Sequence, residues 1–260
     1  SRPKVLAKDI TKIFKDCGIN PSSKDPDIAI IIGGDGTFGY FGRKLDIPML
    51  FVGVKDLNPV GSKASLAELF FDKLNYGIRE MEDGNYYIEN RTLISVDYCG
   101  SYEDVFTDVY LERGNFGGCL RYLVSLNTKK RKHEEFRFTD YAIGNGVIIC
   151  TATGSSGYYS YTQRITSISS YKAQFSNNKL GICHITPYSL LRVSKGHTFL
   201  KPEVQYTIPL QSEIKLNLLR SSNALLYGLS HNSRGIKISE NDTITIEPSP
   251  RTAKVIKIKS

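Results

Sequence analysis

No stretch of this 260-residue chain approaches the roughly 18 consecutive apolar residues of a membrane-crossing helix, which excludes a helical membrane protein. There is no CxxC pair. The five cysteines, Cys17, Cys99, Cys119, Cys150 and Cys183, are odd in number and widely spaced, a pattern that argues against a disulfide framework or a zinc site and predicts reduced thiols in a cytoplasmic protein. The four histidines, His133, His184, His197 and His231, are scattered without metal-ligand spacing and read as structural or surface residues. The opening SRPKVLAKDITKIF has no initiator Met and no apolar core of a signal peptide, and a trimmed start is compatible with it. Neither a repeat of fixed period nor a low-complexity segment is visible, and GxxxxGK[ST] does not occur, so a P-loop is excluded.

What is present describes a folded protein: 40% apolar and 23% charged residues, with length enough for one large domain or two ordinary ones. The net charge of +8 favours anionic partners. Its densest basic run, Lys129-Lys130-Arg131-Lys132, is followed almost at once by Glu134 and Glu135 and reads as a solvated loop. Neither a nucleic acid nor a membrane is expected as partner.

Residues 4 to 17 place Val5, Leu6, Ile10, Ile13 and Phe14 at helical spacing before Gly18, which predicts an amphipathic helix. DIAIII, residues 27 to 32, is a nearly unbroken apolar run ended by glycines, as in a strand buried on both faces of a parallel sheet. FGYFGRKL then suits a helix and PMLFVGV, residues 48 to 54, a second strand, which completes a βαβ unit. From Asn85 the composition turns to alternating β-branched and aromatic residues, and EIKLNLL, NALLYGLS, DTITIEPS and AKVIKIKS near the end are four further strand candidates. The expectation is an α/β N-terminal domain over 1–84, joined by a C-terminal strand over 250–260, and a β-rich domain over 85–249.

Glycines at 33, 34 and 36 let a ligand approach the backbone where DIAIII ends, and the first N–H groups of the following helix attract phosphate. An acid inside such a turn repels anions. Asp35 therefore has three readings: a helix cap or Asx-turn, a ligand to a metal bridging phosphates, or an acceptor of the proton of an attacking hydroxyl.

Gly33-Gly34-Asp35-Gly36-Thr37 after an apolar strand resembles the GGDGT signature of NAD kinases, of diacylglycerol and sphingoid-base kinases and, more loosely, of phosphofructokinases. TATGSSGY, residues 151 to 158, follows the apolar VIIC and is similar to the TPTGSTAY segment of NAD kinases. YYIENRTLISVDY, FTDVYLERG and SPRTAKVIKIK resemble other segments of that family, so the likeness runs from Ile28 to Lys259, thinly between blocks.

That resemblance implies an NAD kinase-like fold and an enzyme that transfers the γ-phosphoryl group of ATP, or of polyphosphate, to the 2'-hydroxyl of the adenosine ribose of NAD. Asp35 would activate the hydroxyl, and Gly33, Gly34, Gly36 and Thr37 would meet the phosphates, with Mg2+ or another divalent cation offsetting their charge. Thr107-Asp108 stands where the family has an Asn-acid pair contacting adenosine, so the acid is retained and the amide is not. Asn145 stands where the family has an acid beside the nicotinamide amide, and loss of that charge weakens preference for oxidised NAD. Ser156, Gly157 and Tyr158 fall at nucleotide-binding positions, and Tyr161 replaces a small Ser or Ala. The resemblance also implies a homodimer or homotetramer.

Each element keeps a plainer reading: Thr107-Asp108 as a strand edge, Asn145-Gly146 as a type I′ hairpin turn, TATGSSGY as a polar loop, and one tyrosine of each pair, Tyr86-Tyr87 and Tyr158-Tyr159, as core. A GGDGT kinase of a lipid or nucleoside hydroxyl, and a nucleotide-binding protein without turnover, are the alternative functions.

Overall fold

A computed structural model of the protein describes residues 5–22, 24–56, 58, 61, 63–114, 117–128, 136–165, 174–194, 197–200, 202–220, 223–229 and 234–259. The basic run at 129–132, His133 and His231 lie outside them. The chain divides into two units, one of residues 1–91 with 252–260 and one of residues 92–251.

In the first unit the amphipathic pattern forms α1 (Ala7–Asp16), whose Ile13 and Phe14 pack on the unit's core. The two apolar runs become β1 (Ala29–Gly33) and β2 (Met49–Gly53), parallel and in register from Ala29↔Met49 to Gly33↔Gly53. Met49 to Val52 have no exposed surface, which explains the absence of polar alternation in β2. Between them runs α2 (Asp35–Lys44), which starts directly at Asp35 and is anchored by Phe38 stacked on Phe51 at 4.7 Å between centroids. The short β3 (Leu69–Phe70) pairs parallel with β2, and α3 (Leu74–Glu82) buries Leu74 and Ile78. On the other side of β2 the end of the last strand pairs at Val255↔Met49.

The second unit is built from antiparallel strands. After β4 (Tyr86–Tyr98) and β5 (Ser101–Val105), which form a hairpin, come β6 (Asp108–Arg113), β7 (Leu120–Thr128), β8 (Phe136–Gly144) and β9 (Gly146–Cys150). The short α4 (Tyr161–Ile165) leads to β10 (Lys179–Ile185), β11 (Ser189–Ser194), β12 (His197–Leu200) and β13 (Gln205–Pro209). The chain closes with β14 (Ser212–Arg220), β15 (Ala224–Tyr227), β16 (Ile236–Ile238) and β17 (Thr243–Ile258). One sheet has the order β17-β14-β7-β8-β11-β12, the other β13-β10-β9-β6-β15-β16. Both contribute to one core, with Tyr122, Val124, Ile214 and Leu216 from the first and Val109, Leu111, Val147, Ile149 and Ile182 from the second, as in a β-sandwich.

Two expectations need correction. DTITIEPS and AKVIKIKS are one strand, β17. Its residues Thr243–Ile246 pair with β14 and Val255 with β2, and Pro248 and Pro250, which have no N–H to give to a ladder, fall between these two stretches. Asn145-Gly146 is not a hairpin turn, because β8 and β9 belong to different sheets and the dipeptide carries the chain across. No helix among the described residues is long and apolar enough to cross a membrane.

Candidate functional site

The turn of the first unit is set by the end of β1. The carbonyl of Gly33 accepts the N–H of Val54, and a Cβ on Gly33 would lie 2.7 Å from the Thr37 hydroxyl oxygen, so only glycine lets Thr37 fold back over this position. Gly34 is the N-cap in extended conformation (φ −115°, ψ −178°), and its carbonyl receives the N–H groups of Thr37 and Phe38. Asp35 is the first helical residue, not the cap, and no side chain caps this helix. Its Oδ1 instead accepts the backbone N–H of Leu66 at 2.8 Å. That bond excludes the cap and Asx-turn readings: the carboxylate is half-buried and held by a distant loop. A negative charge at a helix N-terminus is electrostatically favoured. Gly36 is exposed, and a Cβ there would meet nothing within 4 Å. Neither packing nor a positive φ requires glycine at 36, which leaves room for close approach from outside.

The loop that supplies Leu66 is the segment after β2. Ala64 within it is 2% exposed and adopts a left-handed φ of 46°, a conformation costly for a residue with a Cβ. The adjoining Glu68 fixes this loop to the C-terminal strand, through the N–H of Ile258 at 2.9 Å and the ammonium of Lys257.

In the second unit two of the predicted blocks meet. Thr151 donates its hydroxyl to the Phe106 carbonyl at 2.7 Å and its N–H to the Thr107 carbonyl at 2.8 Å. A Cβ on Gly154 would stand 2.3 Å from that same Thr107 oxygen, so TATGSSGY can lie on Thr107 only with glycine there. Ser156 and Gly157 are exposed at the top of this turn. Asp108 opens β6, and burial raises its carboxyl above the usual range against a hydrogen bond from Thr107.

The alternation of β6 sends Val109 and Leu111 into the sandwich core and puts Asp108, Tyr110 and Glu112 on the other face. There Tyr110 stacks on Tyr227 (5.1 Å, 19°) and meets Tyr158 edge-on at 5.3 Å, and Tyr158 is 5.8 Å from Tyr161. The Tyr158 hydroxyl donates to Glu112. Burial, then that hydrogen bond and the charge of Glu112, push the Tyr158 phenol up, and burial raises Tyr110 to about 12. These rings are half-buried, a surface suited to a flat ligand. Tyr159 beside them is 3% exposed and belongs to the core.

Asn145 is not gathered to Thr107 and Asp108. It precedes β9 whereas Thr151 follows it, so about 20 Å of extended chain separates them. Its N–H donates to the Ile185 carbonyl at 2.9 Å. Tyr161 reaches that end, its hydroxyl donating to the His184 carbonyl at 2.8 Å and accepting the Thr186 N–H at 3.0 Å.

Tyr110, Glu112 and Tyr227 escaped the sequence reading. The period-2 pattern of FTDVYLERG carries the signal for the first two, since residues 108, 110 and 112 share a face. Tyr227 carries none, because pairing of β15 with β6 places it opposite Tyr110. No three His, Cys, Asp or Glu residues cluster as a metal site among the described residues.

No family model matches the chain. It is 24% identical over 270 residues to the NAD kinase of Carboxydothermus hydrogenoformans, covering 98% of this chain and 85% of that one. The NAD kinase of Nitrosomonas europaea is 26% identical over 241 residues, 90% of this chain and 70% of its own. In fold it matches the crystal structure of an NAD kinase from Archaeoglobus fulgidus in complex with ATP, with a TM-score of 0.65 at 15% identity over 99% of this chain and 90% of that one. The yeast NADH kinase complexed with NADH matches with a TM-score of 0.59 at 15% identity, over 89% and 62% of the two chains. In sequence along almost its whole length, and in fold, the chain is similar to the NAD kinases.

Proposed function

We propose that the protein transfers the γ-phosphoryl group of ATP to the 2'-hydroxyl of the adenosine ribose of NAD, giving NADP and ADP. The observation that carries the reading is the Asp35 carboxylate: it opens α2 without capping it and is oriented by the Leu66 N–H at 2.8 Å. A ribose hydroxyl is a weak nucleophile at neutral pH. Asp35 accepts its proton as the bond to the γ-phosphorus forms and the bond to the ADP oxygen breaks. The N–H groups at the start of α2, with the open face at Gly36 and the hydroxyl of Thr37, hold phosphate oxygens. Mg2+ is commonly held by one or two carboxylates and the phosphates themselves, so a divalent cation would come with ATP and would offset phosphate charge.

In the second unit Asp108 and the Tyr110–Tyr158 rings recognise one base, and Asn145 with Tyr161 the other end of the dinucleotide. The five free thiols support a cytoplasmic setting. We further propose a homo-oligomer, a dimer or tetramer, which sedimentation of the purified protein tests.

The activity test is incubation with ATP, Mg2+ and NAD, with NADP followed through an NADP-specific dehydrogenase. NADP formation that requires ATP is expected. Nucleotide binding without NADP formation would instead identify a binding protein, and phosphorylation of NADH in preference to NAD would move the acceptor to the reduced form.

A further inference from the structure

Ionisable side chains without exposed surface stand in the core of the second unit. Asp140 on β8 and His184 on β10 are both 0% exposed. Asp140 accepts from Arg192 Nε and Nη2 at 2.7 and 2.8 Å and from the Tyr206 hydroxyl at 2.7 Å, and lies 3.1 Å from His184 Nε2. Burial pushes its carboxyl up, and hydrogen bonds from Arg192, His184 and Tyr206 outweigh it, so the group titrates below its usual range. A carboxylate only accepts, so the proton of this contact sits on Nε2.

Buried ion pairs commonly add little to stability compared with apolar residues of the same size. This one ends at the site. His184 Nδ1 is 2.9 Å from the hydroxyl of Tyr122, which donates to the carbonyl of Gly146 at 2.5 Å. Gly146 has φ +145°, and a Cβ there would stand 1.8 Å from the Leu111 carbonyl oxygen, so the crossover has a single backbone path. The His184 carbonyl meanwhile accepts the Tyr161 hydroxyl. One histidine thus holds both residues at that end of the site.

We propose that Asp140, His184 and Tyr122 form a positioning chain that fixes the Asn145-Gly146 crossover and Tyr161, and thereby sets affinity for the end of the acceptor which these residues meet. Naming NAD as that acceptor rests on the proposed function. None of the three touches the ligand; they act through Gly146 and Tyr161.

Two Tyr→Phe variants, each keeping its ring in the core, separate positioning from stability. Tyr122→Phe removes the hydroxyl that reaches Gly146. Tyr206→Phe removes a bond to the same carboxylate without reaching the crossover. Both are expected to melt below wild type. Only Tyr122→Phe speeds hydrogen exchange at the amides of Asn145 and Arg113, which bond Ile185 O and Asn145 O, and raises the KM for NAD, each by about five- to tenfold, the effect of one buried hydrogen bond, with kcat and the KM for ATP unchanged. Equal behaviour of the two variants in exchange, or faster exchange with an unchanged KM for NAD, overturns the inference. A wild type that makes no NADP sinks the proposed function instead, and the exchange contrast then decides the positioning chain by itself.

Discussion

Asp35→Asn isolates the chemistry of the carboxylate from its place in the fold. The asparagine side-chain oxygen can still accept the Leu66 N–H that Oδ1 now takes at 2.8 Å, so the link between α2 and the loop before β3 survives. Alanine would break that link too, at about 1 kcal/mol of stability, and mix two effects. What the amide cannot do is accept a proton from the ribose hydroxyl. Loss of a positioned base slows a reaction by about 100- to 10,000-fold, which corresponds to roughly 2.7–5.4 kcal/mol of transition-state stabilisation. The expected result is therefore a kcat lower by at least about 100-fold, with the KM for ATP and for NAD within about threefold and a melting temperature lowered only by the loss of one charge at a helix N-terminus, about 0.3–1 kcal/mol. Steady-state formation of NADP, alongside thermal unfolding, measures all four. A variant that keeps more than a tenth of wild-type kcat would refute Asp35 as the base and leave it an organiser of the loop.

Glycines of the two motifs should respond in opposite ways. Gly36→Ala meets open space and is expected to leave unfolding within about 1 kcal/mol of wild type while raising the KM for ATP. Gly154→Ala drives a methyl against the Thr107 carbonyl and should cost about 3 kcal/mol in urea unfolding. Asn145→Asp restores a negative charge where the proposed function places the nicotinamide, and should shift the ratio of kcat/KM for NAD over NADH upward about fivefold, the effect of one charge pair at partly solvated separation. Asp108→Asn should raise the melting temperature at neutral pH. Burial raises the folded pKa of Asp108, so stability falls as pH rises past the unfolded value of about 3.9 and stays lower once the folded carboxyl also ionises. The gain of the variant should vanish below about pH 4 in melts across pH. Asp140 works in the opposite sense: its folded pKa is lowered, so its contribution is present above the unfolded value and is lost as pH falls through the folded one.

Local pattern was enough for much of this molecule. An apolar run closed by Gly33 and Gly34, then a helix, then a second unpolar run state a βαβ unit through side-chain burial and backbone freedom alone, and the alternation after Asn85 states a β-rich remainder, since a two-faced strand has a period of two. Pairs of residues far apart in the chain are another matter. The bond from Leu66 to Asp35, the seat of Gly154 on Thr107, the stacking of Tyr227 on Tyr110 and the buried chain from Asp140 to Gly146 all join residues brought together by pairing between strands and packing between sheets. The Asn-Gly dipeptide shows the limit most directly: its preference for a tight turn is local, whereas the sheet that each flanking strand joins is decided by which partner buries its apolar face. The sequence by itself determined the elements and the kinds of chemistry available at 33–37 and 151–158. The tertiary structure decided what each polar group is bonded to, because hydrogen-bond partners distant in sequence leave no mark in local composition.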